Sequence, residues 1–122
     1  MASATSVVGN RGEDIATEWL RKNGYMIVAR NWRDGHYELD IIAQRGFSLH
    51  IIEVKSRAKS SWERPEEAMN RDKMRSIMRG ASRYLASHPT ELEVQFDLIA
   101  IDFDTDGQAE VRYIPDAIQR GW

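Results

Sequence analysis

The sequence predicts an α/β domain in which helices flank a central mixed β-sheet, with elements in the order αβββαββ. Three observations predict it. Two segments place apolar residues at three- and four-residue intervals, and five short runs are rich in β-formers. Apolar residues fall on both faces of the middle strands, so helices have to cover each side of one sheet. No internal repeat, low-complexity tract or linker interrupts the order, and 122 residues suit one domain rather than two.

The first helix is expected from about Arg11 to Asn23. Asn10 stands at its N-cap, Glu13 follows three residues later, and Ile15, Ala16, Trp19 and Leu20 form one apolar face. Gly24 supplies the left-handed stop. Three strands follow at Tyr25 to Asn31, Glu38 to Gln44 and Leu49 to Lys55, the last two joined by the short Arg45-Gly46-Phe47-Ser48 turn. Arg57 to Arg64 reads as a basic loop. A second helix is expected from about Asn70 to Ser87, with Asn70 as cap and Met74, Ile77, Met78, Ala81, Tyr84 and Leu85 inward. His88-Pro89 ends it. Val94 to Phe103 and Ala109 to Ile114 then form a second hairpin around Asp104-Thr105-Asp106-Gly107. The expected organisation is a flexible N-terminus over residues 1–9, a single domain over 10–115 and a C-terminal tail over 116–122.

Composition excludes several classes. With 42% hydrophobic and 30% charged residues the chain can bury a core. No apolar run approaches the ~20 residues that span a bilayer, and Met1 to Gly9 lacks the pattern of a signal peptide. A cytoplasmic protein without membrane partners is the expectation. The absence of cysteine removes disulfides, thiolate nucleophiles and thiolate metal sites together.

The chemistry concentrates in Glu38-Leu39-Asp40 and Glu53-Val54-Lys55. With Gly46 and Phe47 as loop residues, Ile42 faces Ile51, Asp40 faces Glu53 and Glu38 faces Lys55. Directly opposed side chains have Cβ atoms ~5 Å apart, so the four charged groups gather at the end of the hairpin away from its turn. Leu39–Val54 and Ile41–Ile52 then make the apolar face. Two opposed carboxylates need compensation. Mg²⁺ or Mn²⁺ would supply it through oxygen ligands, with Lys55 beside the ion to orient or deprotonate an attacking water or to stabilise a scissile phosphate. Cross-strand ion pairs of Lys55 with Glu38 and Asp40 are the plainer alternative from spacing alone.

An ordered series of motifs narrows the choice. Asn10-Arg11-Gly12-Glu13, Gly24-Tyr25, Asn31-Trp32-Arg33, Glu38 to Ala43, Glu53-Val54-Lys55-Ser56-Arg57 and Phe96-Asp97 together resemble the YraN family of bacterial proteins. That family is similar to archaeal Holliday junction resolvases, which have the restriction-endonuclease-like fold and the PD-(D/E)XK signature. The resemblance runs from Gly9 to about Phe103. It implies that Asp40 and Glu53 bind a divalent metal, with the Val54 carbonyl as a third ligand, and that Lys55 is the catalytic lysine. Glu13 matches the additional acidic residue of the resolvase-like nucleases, completing the site through water or a second ion; its position is also that of a capping box. Two positions depart from the pattern: Tyr37 replaces the usual glycine before Glu38, and Gln95 replaces a frequent arginine before Phe96-Asp97.

The net charge of −2 argues against nucleic acid at first sight, but its distribution does not. Residues 54–86 hold nine Lys and Arg against four Asp and Glu, and the remainder eight against fifteen. Arg57, Lys59, Arg64 and Lys73 are the candidate phosphate contacts, with Ser60, Ser61 and Trp62 as a movable loop over the substrate. His36, His50 and His88 share no ligand spacing and read as loop or packing residues. The leading expectation is a Mg- or Mn-dependent nuclease acting on branched or single-stranded DNA, with a homodimer required for symmetric two-strand cutting. The alternative is a non-catalytic nucleic-acid-binding domain that retains the fold.

Overall fold

The computed structural model describes residues 4–59 and 69–118, for residues 4–10 the backbone alone. Seven elements follow one another: α1 (Ala4–Lys22), β1 (Met26–Asp34), β2 (Tyr37–Arg45), β3 (Ser48–Ala58), α2 (Arg71–Ser87), β4 (Glu93–Phe103) and β5 (Ala109–Ile114). The strands form one sheet in the order β1-β2-β3-β4-β5. Only β3 and β4 run parallel, because α2 carries the chain back between them; the other neighbours are antiparallel. The expected mixed sheet flanked by helices is the one observed.

Each face carries its own core. On one, Ala16 and Leu20 of α1 pack with Ile41, Ala43, Ile52, Ile99 and Ile101. On the other, Met74, Ile77, Ala81 and Tyr84 of α2 pack with Leu39, Ile42, Leu49 and Ile51. The inward periodicity of α2 and its Asn70 cap are as expected: Asn70 Oδ1 accepts the Lys73 backbone N–H at 2.9 Å. The hairpin register is also as expected, with Ile42 opposite Ile51 and Ile41 opposite Ile52.

Four expectations need correction. Helix α1 starts at Ala4, so Asn10 lies inside it rather than at its cap, and it reaches into the segment expected as a flexible N-terminus. An Asn or Gly inside a helix costs about 1 kcal/mol or less, which a 19-residue helix absorbs. At the other end, Ile118 of the expected tail is buried in the α2-side core. Leu39 and Val54 do not share a face, since Leu39 packs on the α2 side and Val54 on the α1 side. Lastly, the β2–β3 ladder stops at Ile41–Ile52, so Asp40 and Glu53 are not a ladder pair and neither are Glu38 and Lys55.

One close approach fixes α1 on the sheet. A Cβ on Gly12 would fall 1.9 Å from Ser56 Oγ, so only glycine lets the helix backbone come this near β3.

Candidate functional site

The site grows from a break in strand alternation. Leu39 faces α2 and Ile41 faces α1, although residues two apart in a regular strand share a face. The slip falls on Asp40. Beside it, between the pairs Arg30–Ile41 and Trp32–Leu39, stands Asn31 with a left-handed φ of 51°. Asparagine tolerates that conformation better than most residues. Tyr37, the expected departure before Glu38, is the first residue of β2, paired with Asp34.

Turned out of the alternation, Asp40 points into the gap where β2 and β3 diverge. Its Oδ2 accepts the Val54 N–H at 2.9 Å, satisfying a donor that the ended ladder leaves without a backbone partner. The N–H and C=O of a strand residue lie on the same side, so the Val54 carbonyl also faces this gap. Glu53, one residue before, projects to the α2 side and hydrogen-bonds to Asp40. Lys73 in the first turn of α2 reaches the same group, with Nζ 3.1 Å from Glu53 Oε1. From the opposite face Glu13 of α1 approaches, held by a hydrogen bond from the Asn31 side chain. Glu13 therefore serves no capping box; it belongs to the acidic group.

Burial dominates the electrostatics. It pushes the Glu53 carboxyl up to about 8, the neighbouring Asp40 charge adds to this, and Lys73 offsets only part. Burial also raises Asp40, against the Val54 N–H and the Glu53 hydrogen bond. Glu13 is raised by burial and by Asp40. Glu53 is thus the proton holder of the pair and donates to Asp40. For Lys73, burial works against the charge, but Glu53, Asp40 and Glu38 outweigh it and raise its affinity for the proton.

The remaining expected residues sit as follows. Lys55 lies on the Glu53 side of β3, half-buried, with no carboxylate partner among the described residues. Glu38 pairs with Arg33 at 3.3 Å rather than with Lys55. Arg57 pairs with Asp102 at 3.0 Å and Lys59 with Glu110 at 3.1 Å, so both carry a carboxylate where an open phosphate contact was expected. Arg64, together with Ser60, Ser61 and Trp62, lies outside the described residues.

The residues fit a small divalent cation. Asp40, Glu53 and the Val54 carbonyl offer hard oxygen donors in one gap, and Mg²⁺ needs only one or two carboxylates when water and phosphate complete its shell. Among the described residues no group of three or more His, Asp and Glu side chains is arranged around a common ion position, so Glu13 adds at most an outer contact.

Sequence reasoning missed a second polar cluster, at the other end of β3. Asp97 is buried, and its Oδ2 takes His50 Nδ1 at 2.6 Å and the Tyr113 hydroxyl at 2.5 Å. Its Oδ1 takes Gln95 Nε2 at 2.9 Å and the Asp116 N–H at 3.0 Å. A carboxylate only accepts, so His50 donates from Nδ1. Gln95, one of the two expected departures from the motif pattern, is a structural partner of Asp97. The sequence signal was an acidic residue set directly between the apolar Phe96 and Leu98.

No helix of the described residues is long and apolar enough to cross a membrane. Comparison with known proteins gives one consistent relationship. The model of the uncharacterised protein family UPF0102 matches residues 12–101. A UPF0102 protein of Bacteroides thetaiotaomicron is 36% identical over 110 residues, covering 90% of each chain. Another from Porphyromonas gingivalis is 39% identical over 102 residues, covering 84% of this chain and 76% of its own. A third, from Beutenbergia cavernae, is 37% identical over 112 residues, covering 91% and 95%. The matched span holds Glu13, Asp40, Glu53, Lys55 and Lys73, and with the motif order already described it establishes that the chain belongs to the UPF0102 family, the YraN proteins.

Proposed function

We propose that the protein is a Mg²⁺- or Mn²⁺-dependent nuclease of restriction-endonuclease-like fold that hydrolyses phosphodiester bonds in branched or single-stranded DNA. The observation that carries the reading is the carboxyl pair Asp40–Glu53 in the β2–β3 gap, with Lys55 beside it and without a carboxylate partner among the described residues. Burying two acids together costs stability and serves no packing need, the usual mark of a group kept for chemistry.

Asp40, Glu53 and the Val54 carbonyl would hold the ion, which when bound supplies a Lewis acid for the phosphate oxygens and a lowered pKa for water. Lys55 orients the attacking water and stabilises negative charge as it develops on the phosphate. Glu13 approaches from the α1 side, where it would reach the ion through water. Asn31 holds its carboxylate in place. Symmetric cutting of two strands would call for a homodimer, for which the β5 edge is the candidate surface.

One observation favours the non-catalytic nucleic-acid-binding reading: the Lys73 ammonium already occupies a Glu53 oxygen without any added cation. Isothermal titration of Mn²⁺ into wild type and Asp40→Asn separates the two. The nuclease reading expects binding in wild type and none in Asp40→Asn, with cleavage of a branched or single-stranded substrate lost in parallel. Equal titrations, together with DNA binding indifferent to EDTA, would leave the binding-domain reading in its place.

A further inference from the structure

Lys73 is fixed at one end and free at the other. Its backbone N–H is bound by the Asn70 cap at 2.9 Å, which sets the start of α2 and so the position of the Lys73 Cα. Its side chain is 45% exposed, yet its ammonium meets a Glu53 side chain that is only 6% exposed. A solvent-facing lysine thus reaches inward to a carboxyl oxygen that the ion would need. The charges of Asp40 and Glu38 act on it in the same sense as Glu53, so the whole acidic group attracts it.

An ammonium and a divalent cation on the same carboxylate compete for lone pairs and repel each other at close range. Lysine has a long flexible stem and its head is readily rehydrated, so it is the partner that leaves. The α2 anchor still holds it near the open side of the gap. The other basic pairs lack this arrangement, since Arg57 and Lys59 meet Asp102 and Glu110, outside the carboxyl pair.

We propose that Lys73 is an exchange residue: it occupies a Glu53 oxygen and offsets the charge of the acidic group when no ion is bound, and passes to a substrate phosphate when the ion takes the carboxylates. Ion and phosphodiester then bind cooperatively, because the ion frees Lys73 for the phosphate and the phosphate, by taking Lys73, frees Glu53 for the ion. Without the ion, the lysine is withheld from phosphate. The inference rests on the Asp40–Glu53 ion site proposed above and assigns a positioning role to a residue outside the hairpin.

The test uses the full chain, Ca²⁺ as the ion and a short labelled single-stranded oligodeoxynucleotide as the phosphodiester. Ca²⁺ affinity is read by calorimetry, and oligonucleotide affinity by fluorescence anisotropy in Ca²⁺ and in EDTA. Wild type should bind the oligonucleotide about tenfold more tightly in Ca²⁺, an ordinary coupling between two ligands. Lys73→Met should still bind Ca²⁺ yet lose most of that ratio, and Lys73→Arg should keep part of it. Arg75→Met, a loss of equal charge on the same helix, should weaken both conditions alike and preserve the ratio. A Lys73→Met ratio equal to wild type overturns the exchange role, and so does Ca²⁺ binding that leaves wild-type oligonucleotide affinity unchanged; in both cases the ion site stands. Absence of Ca²⁺ binding in wild type removes the ion site itself and the exchange with it.

Discussion

Asp40 accepts the Val54 backbone N–H through Oδ2 at 2.9 Å, so a side chain of β2 makes the hydrogen bond that its backbone has ceased to offer β3. The bond closes the ladder at the point where the two strands part. It also aims a carboxylate into the opening. The same interaction therefore terminates a sheet pairing and places the first acid of the site.

Stability should depend on pH through Glu53. Folded, its carboxyl holds a proton up to about pH 8, whereas an unfolded glutamate releases it near 4.5. Between those values the folded chain binds more protons, so stability falls as pH rises and is level for this group below the window. Glu53→Gln should flatten most of that slope and raise stability at pH 8 by about 1–3 kcal/mol, or about 3–6 °C per kcal/mol in melting temperature. Thermal melts of both proteins from pH 4 to 9 check it; parallel curves would show that Glu53 carries no buried proton.

Lys55 should matter to turnover and little to the ion. Lys55→Met is expected to reduce cleavage by about 10²–10⁴-fold while Mn²⁺ affinity changes by less than about threefold. Single-turnover cleavage and calorimetry on the same preparation decide. Loss of both together would make Lys55 part of the ion site instead.

The Asp97 cluster should be purely structural. Its two oxygens each serve two donors, so Asp97→Asn sets an amide donor against either His50 and Tyr113 or Gln95 and the Asp116 N–H. A cost of about 3 kcal/mol or more follows, read from urea midpoints. Burial and the hydrogen bond to Asp97 raise the Tyr113 hydroxyl far above its ordinary value, so it stays a donor throughout. Tyr113→Phe should therefore cost less than Asp97→Asn, about 1–2 kcal/mol. The reverse order would mean that the carboxylate is not the hub.

Helix α1 should be sensitive at one point. Gly12→Ala puts a methyl 1.9 Å from Ser56 Oγ and 3.1 Å from its Cβ, and is expected to cost about 1–3 kcal/mol. Ser56→Ala removes the nearer contact and should recover much of the loss. Alone it should be neutral or stabilising, because Ser56 Oγ is buried without a hydrogen-bond partner among the described residues. A double mutant as unstable as Gly12→Ala alone would place the strain elsewhere.

The elements and the hairpin register were legible because they follow from local periodicity. Ile41, Ile42, Ile51 and Ile52 admit one alignment that keeps both cores apolar. Asp40 and Glu53 were legible as neighbours for the same reason. Their actual relation was not, since extrapolating the ladder hides its end: nothing local in Leu39-Asp40-Ile41 announces a slip, which depends on Asn31 in the adjacent strand. The Asn10 cap failed because a cap residue says where a helix can start, while continuation depends on the residues before it. Arg57, Lys59 and Lys73 were read as open cations because their carboxylate partners lie far away in the chain. Asp97 met its partners for the same long-range reason.

A continuous sheet insulates its two faces from each other, because every backbone polar group in it is spent on the neighbouring strand. Where β2 and β3 part, that insulation has a window. Glu13 arrives from the α1 layer and Lys73 from the α2 layer, and both feel Asp40. The two cores are separate clusters of the described residues, yet at this point they share a charge balance. A change of charge at Asp40 therefore reaches Glu13 on one side of the sheet and Lys73 on the other, so the two helix layers answer to one electrostatic centre.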